Sequence, residues 1–128
     1  MRLIHAGLVS SSLDRADRFF GDVLGLRKTR KSELPAELAD RLFGVDAGCE
    51  IVYYECGDFE LEVFLTGRPE VVDSKISHLC LEVASRSELL ASCAAVGIAV
   101  RDAPKGDSLV VFIEDEDGNL YEIKERRA

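Results

Sequence analysis

Two histidines, His5 and His78, lie 73 positions apart in a chain of 128 residues, each near the centre of a short apolar run: Leu3-Ile4-His5-Ala6-Gly7-Leu8-Val9 and Ile76-Ser77-His78-Leu79-Cys80-Leu81-Glu82-Val83. Two glutamates complete the pattern, Glu62 within Phe59–Leu65 and Glu122 within Leu120–Lys124, 60 positions apart. Two neutral imidazoles with two carboxylates suit one borderline divalent ion such as Zn²⁺, Ni²⁺, Co²⁺ or Fe²⁺, whereas Mg²⁺ and Ca²⁺ prefer oxygen-only shells. Such a set leaves one or two positions for water or substrate, which is a catalytic rather than a closed structural arrangement. Glu60 lies on the same strand face as Glu62 and competes with it for the role.

Strand side chains alternate between faces, so parity sorts these residues. Leu79, Leu81 and Val83 make an apolar face, opposite Ile76, His78, Cys80 and Glu82. Phe59, Leu61, Val63 and Leu65 stand against Glu60, Glu62 and Phe64, and Tyr121 and Ile123 against Leu120, Glu122 and Lys124. One face suits packing under helices and the other a concave, partly polar surface. The first strand shows no such contrast.

The elements that carry these strands repeat. A strand at residues 2–9 is followed by Ser10, Ser11, Ser12 and Asp14, any of which can cap a helix traced by Ala16, Phe19, Phe20, Val23 and Leu24 and closed by Gly25. Strands at 50–55 and 59–65 flank the turn Cys56-Gly57-Asp58. After the 76–83 strand, Ser85 or Ser87 caps a helix over about 86–96 that ends at Gly97. Strands near 98–100, at 109–113 and at 120–124 follow. Residues 66–75 read as a linker. The charged segment 27–41 has no strong period; beyond a short helical turn at its ELAD part, it is expected to be a mobile flap. The order predicts an α+β fold in which two βαβββ modules, about 1–65 and 76–128, form one curved mixed sheet in a single domain. The offset between halves falls from 73 to 60, so the first module carries about a dozen extra residues, and the charged segment supplies them.

Composition narrows the partners. With 47% hydrophobic residues the chain supports one core. No apolar run approaches the ~20 residues of a membrane span, and the N-terminus lacks a signal peptide's apolar region, so a cytoplasmic protein is expected. A net charge of −8 argues against nucleic acid and anionic membranes, which require a basic footprint, and leaves a small-molecule substrate or another protein. The four cysteines form no C-x-x-C pair and read as reduced thiols.

The layout resembles the vicinal oxygen chelate superfamily, which includes glyoxalase I, methylmalonyl-CoA epimerase, extradiol dioxygenases and bleomycin-resistance proteins. The matching pieces are His5–Val9, Ala16-Asp17-Arg18-Phe19-Phe20-Gly21-Asp22-Val23-Leu24-Gly25-Leu26, Ile76–Val83 and Phe112-Ile113-Glu114-Asp115-Glu116-Asp117-Gly118-Asn119-Leu120-Tyr121-Glu122-Ile123. The resemblance weakens over about residues 28–48. It implies paired βαβββ modules, a homodimer, and metal ligands from the first and last strand of each module: His5, Glu62, His78 and Glu122. Glu62 is favoured over Glu60 because it directly precedes the apolar pair Val63-Phe64.

This ligand set is most similar to that of bacterial glyoxalase I (lactoylglutathione lyase). It implies a metal-dependent lyase, isomerase or epimerase that stabilises an enediolate while a glutamate moves a proton between neighbouring carbons, Glu122 first and Glu62 second. Similar enzymes hold glutathione with an arginine after the first histidine and an asparagine after the Glu62 position. Here those regions read Leu8-Val9-Ser10-Ser11 and Phe64-Leu65-Thr66-Gly67, so the sequence does not support glutathione as a co-substrate. Arg68, Arg101 and Lys105 are the alternative receivers of an anionic group. Two further readings stay open, a metal-free protein that binds an antibiotic or other small molecule in the bleomycin-resistance manner, and a ring-cleaving dioxygenase.

Overall fold

In each half of the chain the first strand pairs in parallel with the last. The structure, a computed structural model, describes residues 2–68 and 76–127. The chain divides into two compact units, residues 1–70 and 71–128. Most of the linker expected over 66–75 lies outside the described residues. The first unit runs β1 (His5–Ser10), α1 (Leu13–Ala16) continuing as a π-helix (Asp17–Val23), β2 (Arg27–Leu34), α2 (Ala36–Phe43), β3 (Cys49–Cys56) and β4 (Phe59–Leu65). The second runs β5 (His78–Val83), α3 (Arg86–Val96), β6 (Ala99–Lys105), β7 (Ser108–Glu114) and β8 (Leu120–Glu125). Their sheets have orders β1-β4-β3-β2 and β5-β8-β7-β6, in which only the β1–β4 and β5–β8 pairs are parallel. The duplicated α+β plan expected from the sequence is therefore present, as two four-stranded mixed sheets.

The first helix starts where Ser12 accepts a hydrogen bond from the Arg15 N–H. It then widens: the Leu24 N–H reaches the Phe19 carbonyl at 2.9 Å, an i→i−5 bond. Ala16, Phe19, Phe20 and Val23 are all buried, and on the sheet beneath so are Val52, Tyr54, Leu61 and Val63. The Phe20 and Tyr54 rings lie 5.1 Å apart. Tyr54 donates its hydroxyl to Asp17 at 2.7 Å, and Lys28 reaches the same carboxylate at 3.0 Å.

The segment over 27–41 is not a flap. It forms β2 and α2, and β2 pairs with β3 along its whole length. Periodicity missed this strand because six of its eight residues are exposed, so no apolar face alternates with a polar one. Its place is fixed by the ladder and by Arg30, whose guanidinium lies 3.6 Å over the Tyr53 ring. Helix α2 covers part of the sheet face opposite α1, where Ala39 packs with Leu34, Ile51 and Tyr53. Gly48 makes this packing possible, since a Cβ there would come within 2.4 Å of the Leu34 carbonyl oxygen.

Two further boundaries differ. β1 begins at His5 rather than at residue 2, and β6 continues to Lys105 instead of ending near Val100. All seven β6 residues are exposed, and Pro104 is tolerated because β6 is an edge strand. Among the described residues, no helix is long and apolar enough to cross a membrane. All four cysteines are free.

Burial works against the Asp17 charge, but the Tyr54 and Lys28 donors outweigh it and hold this carboxyl below its ordinary range. A carboxyl lowered in the folded state stabilises the fold above its unfolded pKa, ~3.9, and that contribution is lost as pH falls through the folded value. The urea midpoint of the protein is therefore expected to fall more steeply between pH 5 and pH 3 than that of an Asp17→Asn variant.

Candidate functional site

Parallel register decides which carboxylate meets which imidazole. In the first unit His5 stands opposite Glu60 and Gly7 opposite Glu62. In the second, His78 stands opposite Leu120 and Cys80 opposite Glu122. Glu62 and Glu122 are thus equivalent, each two residues beyond the partner of the histidine, whereas Glu60 corresponds to Leu120. The side chains follow the register. His5 Nδ1 lies 2.7 Å from Glu62 Oε2, and His78 Nε2 lies 3.7 Å from Glu122 Oε2. Glu60 turns instead to Arg30, at 3.3 Å. All four side chains of the two pairs are partly accessible.

The imidazole of His78 is held in a defined state. Its Nδ1–H donates to the Ile76 carbonyl at 2.7 Å, and its ring meets Phe112 edge to face at 5.0 Å. With Nδ1 engaged by that carbonyl, Nε2 faces Glu122, which is how a carbonyl commonly orients a metal-ligating histidine. Two donors ~2.1 Å from one ion stand roughly 3–3.5 Å apart, so the His78–Glu122 separation is close to that of a shared ligand pair. Each unit supplies two donors of the expected chemistry. Among the described residues, no group of three or more His, Cys, Asp or Glu side chains is gathered so as to hold a metal ion.

The rows around the glutamates repeat as well. Arg30, Tyr53, Glu62 and Gly7 are successive cross-strand partners in the first sheet, and Arg101, Phe112, Glu122 and Cys80 in the second. A β-bulge between Lys28 and Arg30 brings Arg30, rather than Thr29, opposite Tyr53. The sequence offered no sign of that shift. Arg101, considered above as an anion receiver, pairs with Glu114, and Arg68 lies beside an apolar cavity in the first unit.

Cys80 is the residue that sequence reasoning passed over, although parity had placed it beside His78. Its thiol lies beside Glu122, its register partner. Burial first, and then the Glu122 and Glu82 carboxylates, push that thiol above its ordinary range, with Lys124 opposing. In the first unit the same position is Gly7, so Glu62 has no neighbouring side chain there.

A buried turn sets the start of β8. The Asp115 carboxylate accepts from the backbone N–H groups of Asp117 and Asn119 at 3.0 and 2.9 Å, and from the Asn119 amide and Tyr121 hydroxyl at 2.9 Å each. This network ends one residue before Glu122. Replacing Tyr121 by Phe, which removes one donor without a cavity, is expected to cost about 1–2 kcal/mol in urea unfolding. Asp115→Ala, which strands four donors, is expected to cost about 3 kcal/mol or more.

The family model described as Glyoxalase/Bleomycin resistance protein/Dioxygenase superfamily matches residues 2–123. The lactoylglutathione lyase of Haemophilus influenzae is 30% identical over 139 residues, covering 100% of this chain and 95% of that protein. Among solved structures, the glyoxalase I of Leishmania major, described as trypanothione-dependent, superposes with a TM-score of 0.72 at 21% identity, covering 98% of this chain and 86% of that one. The fosfomycin resistance protein FosX of Listeria monocytogenes also gives 0.72, at 12% identity and 99% and 94% coverage. A glyoxalase family protein of Enterococcus faecalis gives 0.71, at 19% identity and 95% coverage of both chains. At these identities the structural likenesses bear on the fold alone.

Proposed function

Because this chain belongs to the glyoxalase/bleomycin resistance protein/dioxygenase superfamily, we propose that it is a metal-dependent lyase or isomerase of glyoxalase type, acting on a small substrate with oxygens on adjacent carbons. The observation that carries this reading is the matched register that gives each unit a histidine–glutamate pair. In the proposal His5, Glu62, His78 and Glu122 hold one divalent transition metal, and the chain works as a homodimer. When bound, such an ion supplies Lewis-acid polarisation of the substrate oxygens.

The protein's own groups do the proton work. Glu122 takes a proton from the substrate carbon and returns it to the neighbouring one, with Glu62 as the second candidate. His78 is held by Ile76 and Phe112 and does not swing away. A second reading, a metal-free binding protein of the bleomycin-resistance kind, draws support from the apolar cavity of the first unit.

Elemental analysis of protein prepared without chelator or nickel affinity separates the two. Close to one transition metal ion per chain is expected, lost in His78→Ala and in Glu62→Gln but retained in Glu60→Gln. Protein that stays metal-free when Zn²⁺, Ni²⁺, Co²⁺ and Fe²⁺ are each supplied overturns the enzyme reading. For the reaction, Glu122→Gln is expected to slow solvent deuterium exchange into substrate by about 10²–10⁴-fold.

A further inference from the structure

The first unit carries a feature that the duplication does not explain. Between α2 and the sheet lies a cavity of about 330 Å³, and all its lining residues fall between Gly7 and Arg68. Val9, Leu34, Ala39, Phe43, Val45 and Phe64 make its apolar walls, and Thr66 and Arg68 contribute polar groups at one part of it. The second unit passes from β6 to β7 through the short turn Gly106-Asp107, with no counterpart of α2 among the described residues.

The cavity shares a sheet face with the His5–Glu62 pair. Gly7, the register partner of Glu62, is one of its lining residues, and Phe64 stands two residues beyond Glu62 on the same face. Successive rows across this face change character. Glu55, Glu60 and His5 form one row; Tyr53, Glu62 and Gly7 the next; Ile51, Phe64 and Val9 the third. Glu62 therefore sits at the border between a charged region and an apolar one roofed by α2, where Phe43 meets Phe64 at 5.6 Å between ring centres.

We infer that this cavity receives a compact apolar group, an aromatic ring or short branched chain, attached to the oxygenated carbons of the substrate. The inference rests on the proposed function for the oxygenated end only. Small-molecule sites occupy ~300–1,000 Å³, so a space of this size has room for one ring with its substituents. The extra residues of the first module thus select the substrate, while the repeated residues act on it. Substrates of this class are α-hydroxy aldehydes or ketones bearing an aryl or branched alkyl group, and the corresponding α-hydroxy acids are their non-reacting analogues.

Two probes test this separately from the metal. Toluene, which has no oxygen, is titrated into ¹⁵N-labelled protein without added metal. Amide shifts are expected at Gly7 to Val9, Leu34, Ala39, Cys49 and Phe64, and are expected to vanish in Ala47→Phe, which fills the cavity from an exposed loop, and in Val9→Phe, which fills it from β1. Mandelate and lactate are then compared by calorimetry on metal-loaded protein. Mandelate is expected to bind at least about tenfold more tightly, and Ala47→Phe should erase the difference while lactate binding is retained. Toluene shifts that are absent, or that survive both fillings, overturn the inference, as does equal affinity for the two acids. Loss of the metal reading alone leaves the toluene result standing, so the two failures are distinguishable.

Discussion

The site depends on one backbone constraint, the parallel pairing of the first and last strands within each unit. A tight turn cannot join parallel strands, so each unit's helix and two antiparallel strands become the connection between them. His5 and Glu62 are brought together across 57 positions, and His78 and Glu122 across 44. A register slip of one residue in β4 or β8 would turn the glutamate to the helix face. Core packing prevents that slip. Leu61 and Val63 in β4, and Tyr121 and Ile123 in β8, are almost completely buried on the opposite face, and they alternate with the glutamates. The carboxylates are positioned by what their neighbours bury.

Repetition of the fold does not make the two halves alike. Both glutamates have an aromatic partner on one side, Tyr53 or Phe112, and an arginine beyond it. On the other side the halves part: Glu62 has Gly7, which carries no side chain and lies against the Phe64 ring, whereas Glu122 has the Cys80 thiol. A residue without a side chain next to a cavity, and a thiol held protonated next to a carboxylate, favour different tasks.

Much of this was legible in the sequence where an apolar face alternates with a polar one. Leu79, Leu81 and Val83 come out more buried than His78, Cys80 and Glu82, as parity required. The caps behaved likewise: Ser85 accepts from the Glu88 N–H, and Gly97 takes the left-handed conformation that ends α3. Reading failed at β2 and at the far end of β6. Both are edge strands of charged and small polar residues, held by a neighbouring ladder that a local window does not contain.

Sequence by itself determined the duplication and the faces of the inner strands, and it offered His5, His78, Glu122 and either Glu62 or Glu60 as candidates, because side-chain alternation is a local property of the backbone. The tertiary structure decided which glutamate meets His5, that Arg30 lies over Tyr53, and that α2 roofs a cavity on the Glu62 face. Those outcomes turn on register, on a bulge and on the packing of Ala39 and Gly48 against distant residues. Each is a relation between segments, and no stretch of neighbouring residues encodes it alone.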